Sequence, residues 1–198
     1  MPSPNTIPAD KLARLLGRPD SPSLIDVRTD EDFDADPRLV PGAVRRPWNE
    51  APAWGRAFAG TGRPAVVICR KGLKLSQGAA AWLRHQGIPT DVLEGGMVAW
   101  EAAKLPTVSV ERLPPRDAQG RTVWVTRSRP KVDRIACPWL IRRFVDPQAV
   151  FLYVAPSEVL EVAARFGATP FDLDHADVHW SHRGERCTFD LMVEEFGL

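Results

Sequence analysis

Ala65-Val-Val-Ile-Cys69-Arg-Lys-Gly-Leu-Lys74 decides the fold of this chain. Ala65 to Ile68 is an unbroken apolar run of strand length, the pattern of a strand buried on both faces of a parallel sheet. Ser76 to Gln86 is alanine-rich, with Trp82 and Leu83 as its larger apolar residues, and Gly87-Ile88-Pro89 stops it, so a helix is expected there. Cys69 to Lys74 is then a tight turn from strand to helix. Such a turn directs successive backbone N–H groups and the helix N-terminus into one small bowl. A sulfur anion on Cys69 is stabilised by those dipoles and by Arg70, Lys71 and Lys74, and the thiolate is the reactive form of cysteine. Gly72 lets the backbone curl with no Cβ in the way. An oxidised sulfur donor brought to Cys69 can leave a persulfide there for a second nucleophile to remove, which is two-step covalent catalysis. A cysteine at a strand end followed by two basic residues is, by itself, more often a buried structural thiol.

The surrounding sequence continues the alternation of strand and helix. Ala9 to Leu16 places Leu12, Leu15 and Leu16 on one helical face, Leu24 to Val27 is a short apolar run, and Val92-Leu93 ends another strand before Gly95-Gly96 and a short helix through Trp100. Short connections between such elements argue for a parallel sheet covered by helices over residues 1–105. Trp48, Trp54, Trp82 and Trp100 suit either the lining of a pocket or, more often for tryptophan in a small α/β domain, its core. Residues 106–121, with Pro106, Pro114, Pro115 and Gly120, lose apolar periodicity and read as a linker. Residues 122–198 then read as a smaller α/β or α+β domain. It has strands at Thr122 to Thr126 and Val150 to Val154, helices at Val132 to Phe144 and Ser157 to Phe166, and a last helix starting near Thr188.

Composition excludes several classes. The 198 residues carry 26 Lys and Arg against 25 Asp and Glu, so net charge implies neither a nucleic acid nor a membrane surface as partner. No apolar run approaches the roughly 20 residues of a membrane span, and Met-Pro-Ser-Pro-Asn is not the start of a signal segment. Cys69, Cys137 and Cys187 are odd in number and far apart; a reducing cytoplasm is expected.

Two polar concentrations stand in the second half. Residues 127–143 hold six cations (Arg127, Arg129, Lys131, Arg134, Arg142, Arg143) against one acid, Asp133. On a helix from Val132, Ile135, Trp139 and Ile141 or Phe144 are expected to face a core, with Arg134 and Arg142 outward. The run suits a solvated basic face or an oxyanion site; nucleic acid is disfavoured, since no base-stacking motif accompanies it. Downstream, three of the four histidines (His175, His179, His182) lie within eight residues, among Asp172, Asp174, Glu185, Cys187 and Asp190. Arg134, His182 and Glu185 are expected to line one site, with His179 or Asp172 as further members. That site would offer cations to an oxyanion ligand and imidazole and carboxylate to a metal ion, zinc being the first to test.

With those residues in view, the first half resembles the rhodanese family. Leu24-Ile25-Asp26-Val27-Arg28 is similar to its first signature strand, Glu31-Asp32-Phe33 and Pro41-Gly42-Ala43 to the segment that follows, and Leu93 to Trp100 to its closing motif. The resemblance implies Cys69 as nucleophile and a substrate-binding loop of Arg70, Lys71, Gly72, Leu73 and Lys74. It places Asp26 and Arg28 as structural supports. The loop Cys-Arg-Lys-Gly resembles that of thiosulfate-using members, where cations suit a dianionic donor. The chain departs from the family at Arg38-Leu39-Val40, where a histidine usually precedes Pro-Gly-Ala, and at Lys74, usually Arg or Thr; lysine lacks arginine's planar fork.

Residues 122–198 resemble the C-terminal domain of the chromate-resistance ChrB family. Arg129 to Arg134, Ala136 to Ile141, Phe151 to Val154, Thr169 to Asp172 and His182 to Asp190 carry the likeness. Family members continue with more helical sequence, so the domain is expected to be incomplete here. The resemblances together imply transfer of sulfane sulfur from thiosulfate or a similar small donor, through Cys69, to cyanide or a thiol. No cofactor is expected for that step. The alternative they imply is a chromate-responsive binding or regulatory protein whose rhodanese domain carries sulfur or senses redox state.

Overall fold

The computed structural model describes residues 5–59, 62–129 and 131–198. Met1 to Pro4, with the N-terminal expectation attached to them, and Pro130 of the basic run lie outside the described residues. The chain forms two compact units, Met1–Thr107 and Val108–Leu198.

The first unit is built on five strands: β1 (Thr6–Ile7), β2 (Ser23–Asp26), β3 (Ala43–Arg45), β4 (Ala65–Ile68) and β5 (Thr90–Leu93). They pair in the order β1-β5-β4-β2-β3, every pairing parallel. Parallel neighbours need crossovers, supplied here by α1 (Ala9–Ala13), α2 (Asp30–Asp34), α3 (Ala51–Ala59) and α4 (Lys74–His85), and α5 (Gly96–Ala102) follows the last strand. The expected α/β fold with helices flanking a parallel sheet is what forms. β4 is central and buried at all four residues, which is why its sequence shows no alternation. Ala79, Ala80 and Leu83 of α4 pack on Ile25, Val67 and Val92 of the sheet. The helix stops at a glycine with positive φ, Gly87, followed by Pro89.

The second unit holds a three-stranded parallel sheet of β6 (Val123–Arg127), β7 (Val150–Val154) and β8 (Thr169–Pro170), in the order β8-β6-β7. Helices α6 (Asp133–Leu140) and α8 (Thr188–Phe196) share a core with Trp124 and Phe171, contributing Cys137, Leu140, Met192 and Phe196. Helix α7 (Val159–Phe166) packs through Val159 on Val125. This unit is therefore α/β.

Three expectations change here. Residues 108–121 are not a free linker but part of the second unit. Leu113 packs on its core, the Arg112 guanidinium donates to the Glu195 carbonyl, and Arg116 pairs with Asp146. The expected helix Val132–Phe144 is regular only to Leu140. Beyond it Ile141–Val145 forms a wider turn in which the Asp146 N–H reaches the Ile141 carbonyl. Its first turns also face the other way from the expected one, although Ile141 is buried and Arg142 exposed as expected: Arg134 is 5% exposed, whereas Ile135 and Trp139 are 61% and 48% exposed. The reason is polar. The Arg134 guanidinium donates to the Ser128 carbonyl and pairs with Asp172, so the charged residue turns inward and carries two apolar ones out.

Candidate active site

Cys69 follows β4 directly and is 4% exposed. The loop after it is held from below. The carbonyls of Cys69 and Arg70 accept from the N–H groups of Met97 and Val98, in the first turn of α5. Gly72 and Gly96 have φ of +68° and +61° and meet so closely that side chains would collide with backbone. A Cβ on Gly96 would stand 2.2 Å from the Cys69 carbonyl oxygen and 2.5 Å from the Gly72 nitrogen. A Cβ on Gly72 would stand 2.5 Å from the Leu93 carbonyl oxygen. The glycines of the Cys69 loop and of Gly95-Gly96 are thus one feature: two backbones in contact.

With the carbonyls taken by α5, the N–H groups of residues 70–73 have no acceptor among the described residues. Four successive amides without partners, ahead of the N-terminus of α4, are an anion cradle. Lys71 and Lys74 have no ion pair among the described residues, and Arg70 makes a long contact of 3.7 Å with Asp32. Asp32, Cys69, Arg70, Lys71, Leu73, Lys74 and Leu75 line a pocket of about 570 Å³. Its floor is the thiol and its walls are cationic. Of the loop set expected from sequence, Cys69, Arg70, Lys71, Leu73 and Lys74 line this pocket, and Gly72 does not.

Ser76 was not expected in the site. Its Oγ lies 3.0 Å from Cys69 Sγ and 3.1 Å from the Leu73 carbonyl oxygen. One hydroxyl proton cannot serve both. When Cys69 is a thiol, S–H donates to Oγ and the hydroxyl donates to Leu73; when it is a thiolate, the hydroxyl turns to sulfur. The signal was available, since Ser76 lies in the first turn of α4 just after the loop, but serine in a first turn reads equally as a helix-start residue.

Asp26 and Arg28 are a buried ion pair rather than a surface one, both side chains 1% exposed at 2.7 Å. Arg28 also donates to the carbonyls of Asp36 and Arg38 and stacks on Phe33. The pair pins residues 36–38 to the end of β2, where Asp26 stands beside Ile68 of β4. Neither residue is among those lining the thiol pocket, and their contacts are with the neighbouring chain. The tryptophans divide between the two places expected of them. Trp100 is fully buried, but Trp48 and Trp82 are 46% and 48% exposed. They face a groove of about 470 Å³ that shares Lys74 and Leu75 with the thiol pocket.

The expected second site is only partly assembled. Arg134, Asp172 and His182 converge: Asp172 Oδ2 is 2.9 Å from Arg134 Nε, and Asp172 Oδ1 is 3.7 Å from His182 Nδ1. Asp133, which sequence reasoning did not select, joins them 3.5 Å from His182 Nε2. His179 does not join; it pairs with Glu195 at 2.6 Å and accepts from Arg183. Glu185 is exposed and has no ion pair among the described residues. Of the other cysteines, Cys137 is fully buried, and burial, reinforced by Asp133 and Asp172, pushes its thiol far up. Cys187 is also raised, by burial first, and its thiol donates to Asp190. Neither resembles the Cys69 environment. No helix among the described residues is long and apolar enough to cross a membrane.

Known proteins match the two units separately. The rhodanese-like domain model matches residues 8–103, and the model of the ChrB C-terminal domain matches residues 124–198. Protein ChrB of Cupriavidus metallidurans is 41% identical over 90 residues, 46% of this chain and 26% of that protein. The putative sulfurtransferase YtwF of Bacillus subtilis is 35% identical over 83 residues, 42% of this chain and 77% of that one. A crystal structure of thiosulfate sulfurtransferase from Pseudomonas aeruginosa is 31% identical with a TM-score of 0.47, covering 55% of this chain and 20% of that one. The chain thus spans about a quarter of the length of the ChrB protein it matches. Residues 124–198 are similar to the ChrB C-terminal domain, and by its residues 8–103 the chain belongs to the rhodanese-like family.

Proposed function

We propose that this protein transfers sulfane sulfur from thiosulfate, or a similar small anionic donor, through a persulfide on Cys69. The observation that carries this reading is the thiol in a pocket lined by Arg70, Lys71 and Lys74, next to four amides without an acceptor among the described residues. In the first step the Cys69 thiolate attacks the outer sulfur of thiosulfate. The new S–S bond takes that sulfur, the old S–S bond breaks, and sulfite leaves with the bonding pair. The enzyme is left as a Cys69 persulfide anion, whose charge the amides of residues 70–73 are placed to stabilise. In the second step a thiophile such as cyanide attacks the terminal sulfur and leaves as thiocyanate, restoring the thiolate. Charge is conserved in both steps, and no cofactor enters.

Lys71, Lys74 and Arg70 raise the local concentration of the dianion, and Ser76 donates to the thiolate between turnovers. Steady-state thiosulfate:cyanide turnover tests the reading. The wild type is expected to turn over, and Cys69→Ser, whose hydroxyl cannot store sulfane sulfur, to be inactive. Absence of wild-type turnover with thiosulfate and with other sulfane donors would overturn it. A second reading is favoured by the ChrB C-terminal domain: a chromate-responsive regulator in which the Cys69 domain carries sulfur or senses redox state. It predicts oxyanion-dependent binding of a partner with negligible turnover. A cytoplasmic location is part of the proposal, resting on three free cysteines.

A further inference from the structure

The second unit holds a group of side chains that sulfur transfer does not use. Asp133 opens α6, Asp172 follows β8, and His182 lies in the loop before α8. Each offers one ligand atom, and these atoms lie within 4.8 Å of one another. Ligands about 2.1 Å from a tetrahedral ion stand about 3.4 Å apart; His182 Nε2 and Asp133 Oδ2 are 3.5 Å apart. The two carboxylates are almost buried, while the imidazole is 58% exposed. The group therefore opens to solvent on the histidine side, where an ion can enter and an outside ligand can bind it.

The charges around it are arranged unequally. Arg127 and Arg134 both approach Asp172 at Oδ2, at 3.3 and 2.9 Å. Oδ1 is left facing Thr188 and His182. Asp133 has no arginine partner among the described residues; it accepts from the Thr188 N–H and faces His182. A nearly buried carboxylate whose one potential cation among the described residues is an imidazole, charged only when protonated, is costly. A separate observation points to a ligand as well. The Arg134 side chain is 6% exposed, yet its Nε–H has no hydrogen-bond acceptor, because it is misaligned with Asp172 despite the short distance. Arg127 Nε is buried without an acceptor too. Buried donors are rarely left unsatisfied, and here two stand at the edge of one cluster.

We infer that Asp133, Asp172 and His182 form a site for one divalent cation, with the Arg134 guanidinium behind it on the far oxygen of Asp172. Two carboxylate oxygens and one imidazole nitrogen suit manganese or zinc rather than a soft monovalent metal. Three protein ligands leave coordination positions open, as in metal sites that handle an exchangeable ligand. The arginines on the far oxygen of Asp172 act as outer partners that orient a ligating carboxylate. Because they also offset its charge, the affinity is moderate.

Mn²⁺ is the appropriate probe, since it does not compete for the thiols. The full chain, stripped with chelator and dialysed, is titrated with Mn²⁺ while the electron paramagnetic resonance signal of the free ion is followed. One saturable equivalent per chain is expected, unchanged in Cys69→Ser. His182→Ala and Asp133→Asn should each weaken it at least about tenfold. His182 is exposed, so that variant is expected to keep the metal-free circular dichroism spectrum and melting temperature. No saturable equivalent, or one that both variants leave within about twofold, would overturn the inference.

Discussion

Arg28→Met tests whether the buried ion pair is the clamp that supports the loop. The substitution removes the guanidinium and leaves Asp26, 1% exposed, as a carboxylate with no cation. It also orphans the carbonyls of Asp36 and Arg38, which accept from Arg28 at 3.0 and 2.5 Å. Asp26 keeps one bond, from the Arg28 backbone N–H at 2.9 Å. Breaking a buried pair from one side costs about 3–5 kcal/mol, and in a unit of this size each kcal/mol lowers the melting temperature by roughly 4–8 °C. The expected fall is on the order of 20 °C. Denaturant unfolding at equilibrium, followed by far-ultraviolet circular dichroism, gives the free energy directly. The double variant Asp26→Leu, Arg28→Met should recover most of the loss, because an apolar pair leaves no buried charge behind. A loss under about 1 kcal/mol in the single variant, or a double variant no better than the single, would refute the clamp.

Other outcomes follow from the pocket itself. Ser76→Ala removes a charge-assisted hydrogen bond of about 1.5–3 kcal/mol from the thiolate, so kcat/KM should fall about tenfold or more with little change in melting temperature; an unchanged value would place Ser76 outside the chemistry. Neutralising Arg70 and Lys71 should raise the thiosulfate KM more than it lowers kcat, and added salt should act on the wild type in the same direction; an unchanged KM at low ionic strength would sink the steering role. Iodoacetamide near neutral pH should label Cys69 first and Cys187 slowly, since the latter's thiol is raised by burial and by its bond to Asp190. Cys137, fully buried, should be labelled only on unfolding. Peptide mapping with any other order would contradict these environments.

The first unit was legible because its chemistry is local. β4, the Cys69 loop and α4 are consecutive in sequence, so an unbroken apolar run followed by cysteine, cations and glycine specifies strand, cradle and helix together. What sequence did not show there depends on distant contacts. The collision of Gly72 with Leu93 and Gly95 explains two glycine motifs at once, but only the folded chain reveals that they touch. Trp48 and Trp82 suited core or pocket lining by type, and only the fold places them on a groove.

The second unit was harder, because apolar periodicity failed as a guide to orientation. Counting Ile135 and Trp139 as inward assumed that burial of hydrophobic residues sets the helix face. Instead the bonds of Arg134 to Ser128 and Asp172 set it. The convergence of Asp172 and His182 with Arg134 was legible from the crowding of polar residues. Asp133 was overlooked because it read as the lone acid in a basic run, and Glu185 was overvalued because proximity in sequence to His182 stood in for proximity in space. Residues 108–121 looked like a linker for want of periodicity, whereas individual anchors such as Leu113 and Arg116 tie them to the second unit.

Mass spectrometry of the intact chain after brief exposure to thiosulfate, followed by mapping of its cysteine peptides under non-reducing conditions, tests the central claim most directly. One added sulfur atom on the peptide containing Cys69, removed by cyanide and absent from Cys137, Cys187 and the Cys69→Ser variant, is the predicted result. No added sulfur, or sulfur found on another cysteine, would contradict it.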